Sequence, residues 1–287
     1  MSDRPLLSIV TPCYNAARTI RDTLESVARQ QNASWEHIVV DGGSTDGTPD
    51  IVREYSHVRW ISEKDQGHYH AMNKGHEMAK GDFVCVLNAD DCFREDALSG
   101  VSSALEKHPE WDGLFGDAIF VDDQGREIYR RREVCFDYDV LRFSLGYVLH
   151  PTFFLRRSLF AELGGFRYRE LKNSADYDLI LRVARLGKPI GHVPRFLVDY
   201  RIHDFGQSAD MRIQKNMTKE SRLLMREHGK PEGAAGLFLS VVFRLKRQFQ
   251  KLGHGYLPDL VPGSVRLRKH MRKQTTFSSN IDLDKLS

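Results

Sequence analysis

The chain has 287 residues, of which 41% are hydrophobic and 28% charged, and its formal net charge is +3. This length allows one large domain, or one domain with an extension, and the composition is that of an ordinary globular protein. No run of about 18 apolar residues is present and residues 1–10 lack the layout of a signal peptide, so we expect a cytoplasmic protein without a membrane span.

The first 110 residues alternate between predicted strands and helices. The predicted strands are the apolar runs Leu6–Val10, Trp35–Val40, Val58–Ser62 and Phe83–Leu87. Stretches with helical character follow them, at Ala16–Gln30, Asp50–Tyr55, Tyr69–Ala79 and Arg94–Leu105. This alternation predicts βαβ units, and therefore an α/β fold whose mainly parallel sheet is flanked by helices.

The pattern changes beyond residue 110. Leu114–Val121 and Gly125–Arg132 predict a pair of strands around a turn that contains Asp122, Asp123 and Gly125. Helices are predicted at Arg156–Gly164 and Ala175–Leu186, and a late strand at Val193–Tyr200. We therefore expect one catalytic domain over residues 1–210, with halves at 1–110 and 111–210.

Residues 211–287 form a basic extension that is predicted to be mostly helical. They contain 16 Lys and Arg against 6 Asp and Glu, whereas residues 1–210 contain 26 against 33. This asymmetry predicts an anionic partner, either a phospholipid surface or a phosphorylated acceptor. Nucleic acid is not expected, because the extension contains no recognisable nucleic-acid-reading motif.

One helix of this extension is amphipathic. Its apolar stripe consists of Phe238, Val241, Val242, Leu245, Phe249 and Leu252, with basic residues among the other positions. Three interpretations are open. The stripe packs against the catalytic body, as in most helices, or it lies on a membrane surface, or it binds another protein.

Carboxylates follow the predicted strands where these strands end. Asp41, Asp65, Asp90 and Asp91 would gather at one edge of a parallel sheet, which is where open α/β sheets bind ligands. Such carboxylates repel one another unless donors or a cation lie between them, and oxygen ligands suit Mg²⁺ or Mn²⁺. The alternative is that Asp90 or Asp91 only caps the following helix.

The segment from Asp41 to Gly47 is rich in glycine but matches neither the phosphate-binding loop nor the full dinucleotide motif. Its two aspartates disfavour direct phosphate contact, because like charges repel. A tight turn that directs Asp41 at the edge of a nucleobase fits better.

Taken together, these segments resemble family 2 glycosyltransferases, which adopt the GT-A fold with a Rossmann-like sheet. The resemblance rests on Ile9–Asn15, Val39–Thr48, Ser62–Gly67, Ala71–Gly75 and Leu87–Asp91, in order and at family-like spacing. It extends from about residue 6 to residue 208. It implies that residues 1–110 bind the nucleotide and that residues 111–210 carry the acceptor and catalytic half.

The resemblance also implies a donor site. This site would consist of Thr11, Pro12, Tyr14, Asp41, Asp65, Asn73, Asn88 and Asp90. The first three would lie against the base, Asp41 would accept a hydrogen bond from it, and Asp65 would help to hold the base or ribose. Asn88 departs from the family pattern, which has a carboxylate at this position.

A divalent metal, Mn²⁺ or Mg²⁺, is implied next to the donor. Asp90 would face the ribose and the metal, and Asp91 would coordinate the metal that bridges the diphosphate. His203 resembles the late histidine of the family that joins the metal or diphosphate, and imidazole suits Mn²⁺. The alternative for His203 is an ordinary loop histidine.

Catalysis is implied for Asp176, which opens a predicted helix and resembles the catalytic base of the family. Inverting transfer needs a base for the proton of the acceptor hydroxyl. The alternative is a helix N-terminal charge at the favourable end of the dipole. His150 and Thr152 resemble the acceptor-side segment, although an ordinary turn would also explain them.

We therefore predict a metal-dependent inverting glycosyltransferase that moves a sugar from a nucleotide-sugar, most simply a UDP-sugar, to a hydroxyl. The expected acceptor is a glycan or lipid-linked carrier in cell-surface polysaccharide assembly, with the protein peripheral at the inner face of the membrane. The alternatives are a nucleotide-sugar binding protein without turnover and a nucleotidyltransferase.

Overall fold

The computed structural model describes residues 5–144, 146–202 and 211–256. Nine strands in these ranges form a single sheet. They are β1 (Leu7–Cys13), β2 (Trp35–Asp41), β3 (Val58–Ser62), β4 (Phe83–Val86), β5 (Cys92–Phe93), β6 (Gly113–Val121), β7 (Glu127–Arg131), β8 (Phe153–Arg156) and β9 (Ile190–Arg201).

The same ranges contain nine α-helices and a short 3₁₀ helix at His150–Thr152. The α-helices are α1 (Ile20–Ala28), α2 (Thr48–Arg53), α3 (His68–Met78), α4 (Ala97–Lys107), α5 (Tyr138–Phe143), α6 (Arg157–Glu162), α7 (Ala175–Arg185), α8 (Met211–Glu227) and α9 (Gly233–Gly253). The predicted elements are present, with ends that shift by a few residues.

The largest shift is at the start of α1. This helix begins at Ile20 and not at Ala16, and the residues before it are hydrogen-bonded to the loop after β2. Ala16 N donates to Thr48 Oγ1 at 2.8 Å, and Ala17 N donates to Asp46 Oδ2 at 3.1 Å. The loop after β2 therefore holds residues that helical periodicity alone assigns to the helix.

The sheet is mixed and not purely parallel, and its longer ladders are parallel, including the one between β6 and β9. Its strand order is β3-β2-β1-β4-β8-β6-β9-β5, with β7 on β6. The first four strands are parallel, as the βαβ pattern predicts. Strand β8 runs antiparallel to both β4 and β6, and β6 and β7 form a hairpin. No helical crossover joins β6 to β7, so the chain reverses there.

Both faces of the sheet are covered, which confirms the α/β class. Along β1, Val10 faces a core that includes residues of α3, α5 and α7, whereas Leu7 and Ile9 face a core that includes α4. This alternation is the period of a strand. The loops that follow β1, β2 and β4 lie at the carboxyl ends of these parallel strands, where the sequence predicts the site.

The extension is helical and α8 is joined to the body. Leu224 and Met225 of α8 are buried in the same core as α3 and α7. The apolar stripe of α9 is not packed against the body, which overturns the first of the three interpretations: Phe238, Leu245 and Phe249 are exposed. No helix in the described part of the chain is long and apolar enough to cross a membrane. The domain boundaries stay a prediction.

Candidate active site

The loops after the first three strands are tied together at one edge of the sheet. Gly42 N donates to Cys13 O at 2.9 Å, and Glu63 N donates to Asp41 O at 3.0 Å. Thr45 N also donates to Asn15 Oδ1 at 2.9 Å. This edge is where the sequence predicts the donor site.

Asp41 lies at the centre of these loops and is fully buried. Its carboxylate accepts hydrogen bonds from four donors: Ser44 N at 3.1 and 3.2 Å, Ser44 Oγ, Ser62 Oγ at 2.5 Å and Cys13 Sγ at 3.7 Å. Four acceptor positions are all that a carboxylate offers. Asp41 therefore holds the loop together in this structure, and its contact with a base stays a prediction.

The three predicted donor-binding residues at the end of β1 differ in how exposed they are. Thr11 and Pro12 are buried within β1, and a hydrogen bond of 2.9 Å joins Thr11 Oγ1 to His37 Nε2. Burial lowers the pKa of His37 to about 3, so this imidazole is neutral. Tyr14, by contrast, is 63% exposed. Of these three residues, Tyr14 is the best placed to contact a base.

Asp65 and Tyr14 converge over Gly42. A β-carbon added to Gly42 would lie 2.5 Å from Asp65 Oδ2 and 3.5 Å from Tyr14 Cδ2. Asp65 Oδ1 accepts from Gly67 N at 2.7 Å, which fixes the carboxylate at the start of α3. A ring face and a carboxylate oxygen around a glycine are suited to a base, because the ring can stack and the oxygen can accept.

The two carboxylates after β4 have different surroundings. Asp91 is 1% exposed, and it accepts from Asn88 Nδ2 and from Arg201 N, each at 3.0 Å. Burial and the neighbouring Asp90 raise the pKa of Asp91 well above its usual value. Asp90 is only partly buried. The structure thus uses Asp91 to fasten β9 and Asn88, whereas Asp90 is the more accessible carboxylate.

These surroundings bear on the implied metal. The described residues contain no group of three or more His, Cys, Asp or Glu that could hold a metal ion. Mg²⁺ is often held by one or two carboxylates together with substrate phosphates. The pair of adjacent carboxylates fits a cation held in that way, with Asp90 better placed than Asp91 as the ligand. His203 lies outside the described residues.

Asp176 lies in the first turn of α7 and is partly buried. The hydroxyl of Tyr69, on α3, donates a hydrogen bond of 2.7 Å to Asp176 Oδ1. Burial and this carboxylate raise the pKa of Tyr69 well above 10.0, so the phenol stays protonated and donates. The sequence pattern did not identify Tyr69, because the two residues are 107 positions apart.

His68 connects the two halves of the site. Burial lowers its pKa, while the carboxylates of Asp176 and Asp65 both act to raise it. His68 therefore lies within electrostatic range of the predicted base and of the predicted donor-binding residue. The start of α3 spans the space between them.

The acceptor-side residues differ in what they can offer. Thr152 is fully buried and its hydroxyl donates to Leu149 O at 2.8 Å, so it holds a turn. Burial lowers the pKa of His150 to about 4, although Asp176 opposes this. The Nε2 atom of His150 is buried without a hydrogen-bond partner among the described residues. His150 is thus the more suitable of the two for a ligand contact.

Asn73 clamps the loop after α6. Its Nδ2 donates to Phe166 O at 2.9 Å, and its Oδ1 accepts from Phe166 N at 3.0 Å. Phe166 in turn packs against Tyr69 and His150, with ring centroids 5.5 and 5.6 Å apart. Asn73 therefore shapes the wall next to Asp176, and its predicted donor contact stays a prediction.

Helix α8 supplies a residue that the sequence did not indicate. The carboxylate of Glu220 accepts from Lys172 N at 3.2 Å, from Asn173 N at 3.0 Å and from Asn173 Nδ2 at 3.2 Å. These residues immediately precede α7. No local signal marks Glu220, because its role depends on how α8 folds back over the catalytic half.

Comparisons with known proteins found a matching family model and similar sequences. A family model described as Glycosyl transferase family 2 matches residues 8–164. A relative named PGL/p-HBAD biosynthesis glycosyltransferase, from Mycobacterium bovis (strain BCG / Pasteur 1173P2), is 37% identical over 186 residues. This match covers 62% of the present chain and 69% of the relative.

Solved structures share the fold. S. aureus TarS in complex with UDP-GlcNAc is similar over 85% of this chain and 72% of its own, with a TM-score of 0.59 and 21% identity. The mannosyltransferase PcManGT from Pyrobaculum calidifontis, in complex with GDP-Man and Mn²⁺, is similar over 87% of this chain and 72% of its own. Its TM-score is 0.58 and its identity 17%.

Proposed function

The chain belongs to glycosyltransferase family 2 and has the GT-A fold, and on that premise we propose that it transfers a sugar from a UDP-sugar to a hydroxyl. The observation that carries this proposal is the start of α3, where Gly67 N donates to Asp65 at 2.7 Å and the Tyr69 hydroxyl donates to Asp176 at 2.7 Å. One crevice would then hold a donor on one side and a base on the other.

Asp176 is the proposed base. As the acceptor oxygen attacks the anomeric carbon, its proton passes to Oδ2 of Asp176, the oxygen that Tyr69 does not contact, and the bond from the anomeric carbon to the nucleoside diphosphate breaks. Tyr69 holds the other oxygen at 2.7 Å, so the carboxylate has one defined orientation. General-base assistance of this kind contributes roughly 10²–10⁴-fold in rate.

The proposed donor contacts are Tyr14 against the base and Asp65 on the base or ribose. A UDP-sugar is favoured because the structural neighbour TarS was solved with UDP-GlcNAc, although PcManGT was solved with GDP-Man. Asp90 would hold a divalent cation, Mn²⁺ or Mg²⁺, which would neutralise charge on the leaving diphosphate. His203 is a further proposed ligand.

The proposed acceptor is a glycan or lipid-linked carrier at the inner face of the cell membrane. The basic extension supports this choice, because it carries a surplus of Lys and Arg over an acidic body. At this membrane the protein would be bound peripherally and would not span the bilayer.

Donor binding and release of UDP test this function separately. We expect one UDP-sugar from a panel that also contains GDP-mannose to raise the melting temperature in the presence of Mn²⁺, because a ligand stabilises the state that binds it. Asp176→Asn should keep this shift but release UDP roughly 10²-fold more slowly.

Asp123→Asn is the matched control, since Asp123 lies in the exposed turn after β6 and should behave as the wild type. A panel in which no nucleotide-sugar changes the melting temperature would refute the proposal. Donor binding with equal UDP release by Asp176→Asn would refute the assigned base.

A further inference from the structure

Helix α9 presents an apolar surface to solvent. We call this surface the apolar ridge. It consists of Leu237, Phe238, Val241, Val242, Leu245, Phe249 and Leu252, which are between 38% and 69% exposed. Their spacing places them along one side of the helix. Large exposed apolar patches of this kind mark interaction sites.

The opposite side of α9 is charged and faces the body. Arg247 is 3% exposed and forms an ion pair with Glu133, to which Lys251 Nζ also lies at 3.6 Å. The guanidinium of Arg247 lies 3.8 Å from the centroid of the Tyr147 ring. Buried charges are costly unless they are paired, so this side of the helix is matched specifically to Glu133.

Further contacts fix the rotation of α9 about its axis. Lys246 Nζ lies 2.7 Å from Asp137 Oδ2, and Gln250 Nε2 donates to the same oxygen at 3.1 Å. Ser240 Oγ donates to Phe143 O at 2.9 Å. Phe243 also packs inward, with its ring centroid 5.0 Å from that of Phe143. A globular protein normally turns the apolar side of a helix inward, but here the larger apolar side faces outward and most of the inward contacts are polar.

Cations lie beside the ridge. Arg244 on α9 is exposed and, by the helical period, borders the ridge. Arg244 and the exposed Arg222 of α8 also act with burial to lower the pKa of Lys230. Residues 257–287 add 6 Lys and Arg against 3 Asp and Glu in sequence. Basic residues next to an apolar helix face attract anionic lipid.

We propose that the apolar ridge is a docking surface for an anionic phospholipid bilayer, with α9 lying in the plane of the interface. The ridge enters the boundary between headgroups and acyl chains, and Arg244, which borders it on α9, contacts the anionic headgroups. The biological role of this docking rests on the proposed function, because docking would bring the active-site crevice to a lipid-linked acceptor. The docking itself needs no donor or metal.

Co-sedimentation of the full chain with vesicles tests the proposal. We expect binding to phosphatidylcholine vesicles that contain about 30 mol% phosphatidylglycerol, and weaker binding to phosphatidylcholine alone. Leu245→Glu and Phe249→Glu should each weaken binding at least about tenfold, because each places a charge in an apolar layer. Arg244→Gln should weaken it about fivefold, and only on the anionic vesicles.

Leu186→Glu is the matched control. Leu186 is 47% exposed at the end of α7 and does not belong to the ridge, so its replacement should change binding by less than about twofold. Circular dichroism and the melting-temperature shift with the donor show whether each variant is folded and binds donor. These readouts do not depend on vesicles, so a failure of docking is distinct from a failure of the proposed function.

Three results would overturn the proposal. They are absence of wild-type binding to anionic vesicles, equal binding by Leu245→Glu and wild type, and a wild-type dimer that Leu245→Glu converts to a monomer without any vesicle binding. The last result would assign the ridge to a second copy of the chain.

Discussion

Tyr69 and Asp176 are 107 residues apart in the chain, and the phenol of one donates a 2.7 Å hydrogen bond to the carboxylate of the other. The bond joins α3, which begins at the donor-side loop, to α7, which carries the proposed base. Removal of this hydroxyl therefore tests how much the orientation of Asp176 matters.

Tyr69→Phe should lower kcat about tenfold and leave the KM for the donor nearly unchanged. A hydrogen bond to a charged group stabilises by about 1.5–3 kcal/mol, and here the loss falls on the base rather than on donor binding. Steady-state kinetics with the preferred UDP-sugar measures both parameters. Tyr55→Phe is the control, since the Tyr55 hydroxyl accepts only a 3.4 Å hydrogen bond from exposed Arg21. An unchanged kcat in Tyr69→Phe would contradict this role.

Glu220→Gln should also lower kcat, through the loop that precedes α7. A glutamine has one oxygen where the carboxylate now accepts from three N–H groups of Lys172 and Asn173, so at least one donor loses its partner. We expect a loss of about 1–2 kcal/mol in the free energy of unfolding as well.

Chemical denaturation and kinetics on the same preparation measure the two effects of Glu220→Gln. Glu227→Gln is the control. Glu227 is the last residue of α8, and its replacement removes a largely exposed ion pair with Arg167, so the free energy of unfolding should fall by less than about 1 kcal/mol. Equal behaviour of the two variants would mean that Glu220 does not position the loop.

Asn73→Ala separates two roles for this residue. If Asn73 clamps the Phe166 loop, its loss removes two hydrogen bonds and lowers the free energy of unfolding by about 1–3 kcal/mol. The dissociation constant of the donor should then change little. Calorimetric titration with the UDP-sugar, next to denaturant unfolding, measures both. A donor affinity that falls while stability is unchanged would favour the direct donor contact predicted from the sequence.

The Glu133 cluster predicts a pH dependence. Burial would raise the pKa of Glu133, but Arg131, Arg247 and Lys251 lower it further, so it lies below 4.5 in the folded protein. A lowered pKa gives stability that is complete above 4.5 and is lost as pH falls through the folded value. The protection of α9 amides from hydrogen exchange, relative to the intrinsic rate at each pH, should therefore decrease below about pH 4.5.

Glu133→Gln should remove this pH dependence and lower the free energy of unfolding by about 3–5 kcal/mol at neutral pH, because two buried cations lose their partner. Glu127→Gln, which removes an exposed pair with Arg130, is the control. If the protection of α9 amides kept the same acid dependence in Glu133→Gln as in the wild type, the cluster would not be what holds the helix.

Much of the fold was predictable because its signals are local. Apolar runs such as Phe83–Leu87 and the strand-end motifs around Asp41 and Asp90 are short, so periodicity and turn chemistry predicted the elements and their order. The family and the α/β class followed from the same segments. The direction of β8 was not predictable, because strand pairing depends on partners far along the chain.

The details of the site depended on long-range contacts. Adjacent Asp90 and Asp91 look equivalent in sequence, but the backbone of Arg201 occupies one of them. The sequence correctly predicted that α9 is an amphipathic helix. Its rotation about its own axis, however, depends on the contact with Glu133, which is more than 100 residues away in the chain. A pattern shows that a helix has two sides and does not show which side meets the protein.

The burial of Leu224 and Met225 against α7 has a practical consequence for anyone who wishes to shorten this enzyme. Ending the chain at residue 210 would remove α8, expose the core that α8 covers and remove the Glu220 contacts to the segment before Asp176. A trimmed enzyme would thus be expected to precipitate or to work poorly, and the part that looks like an appendage is better kept in any minimal version.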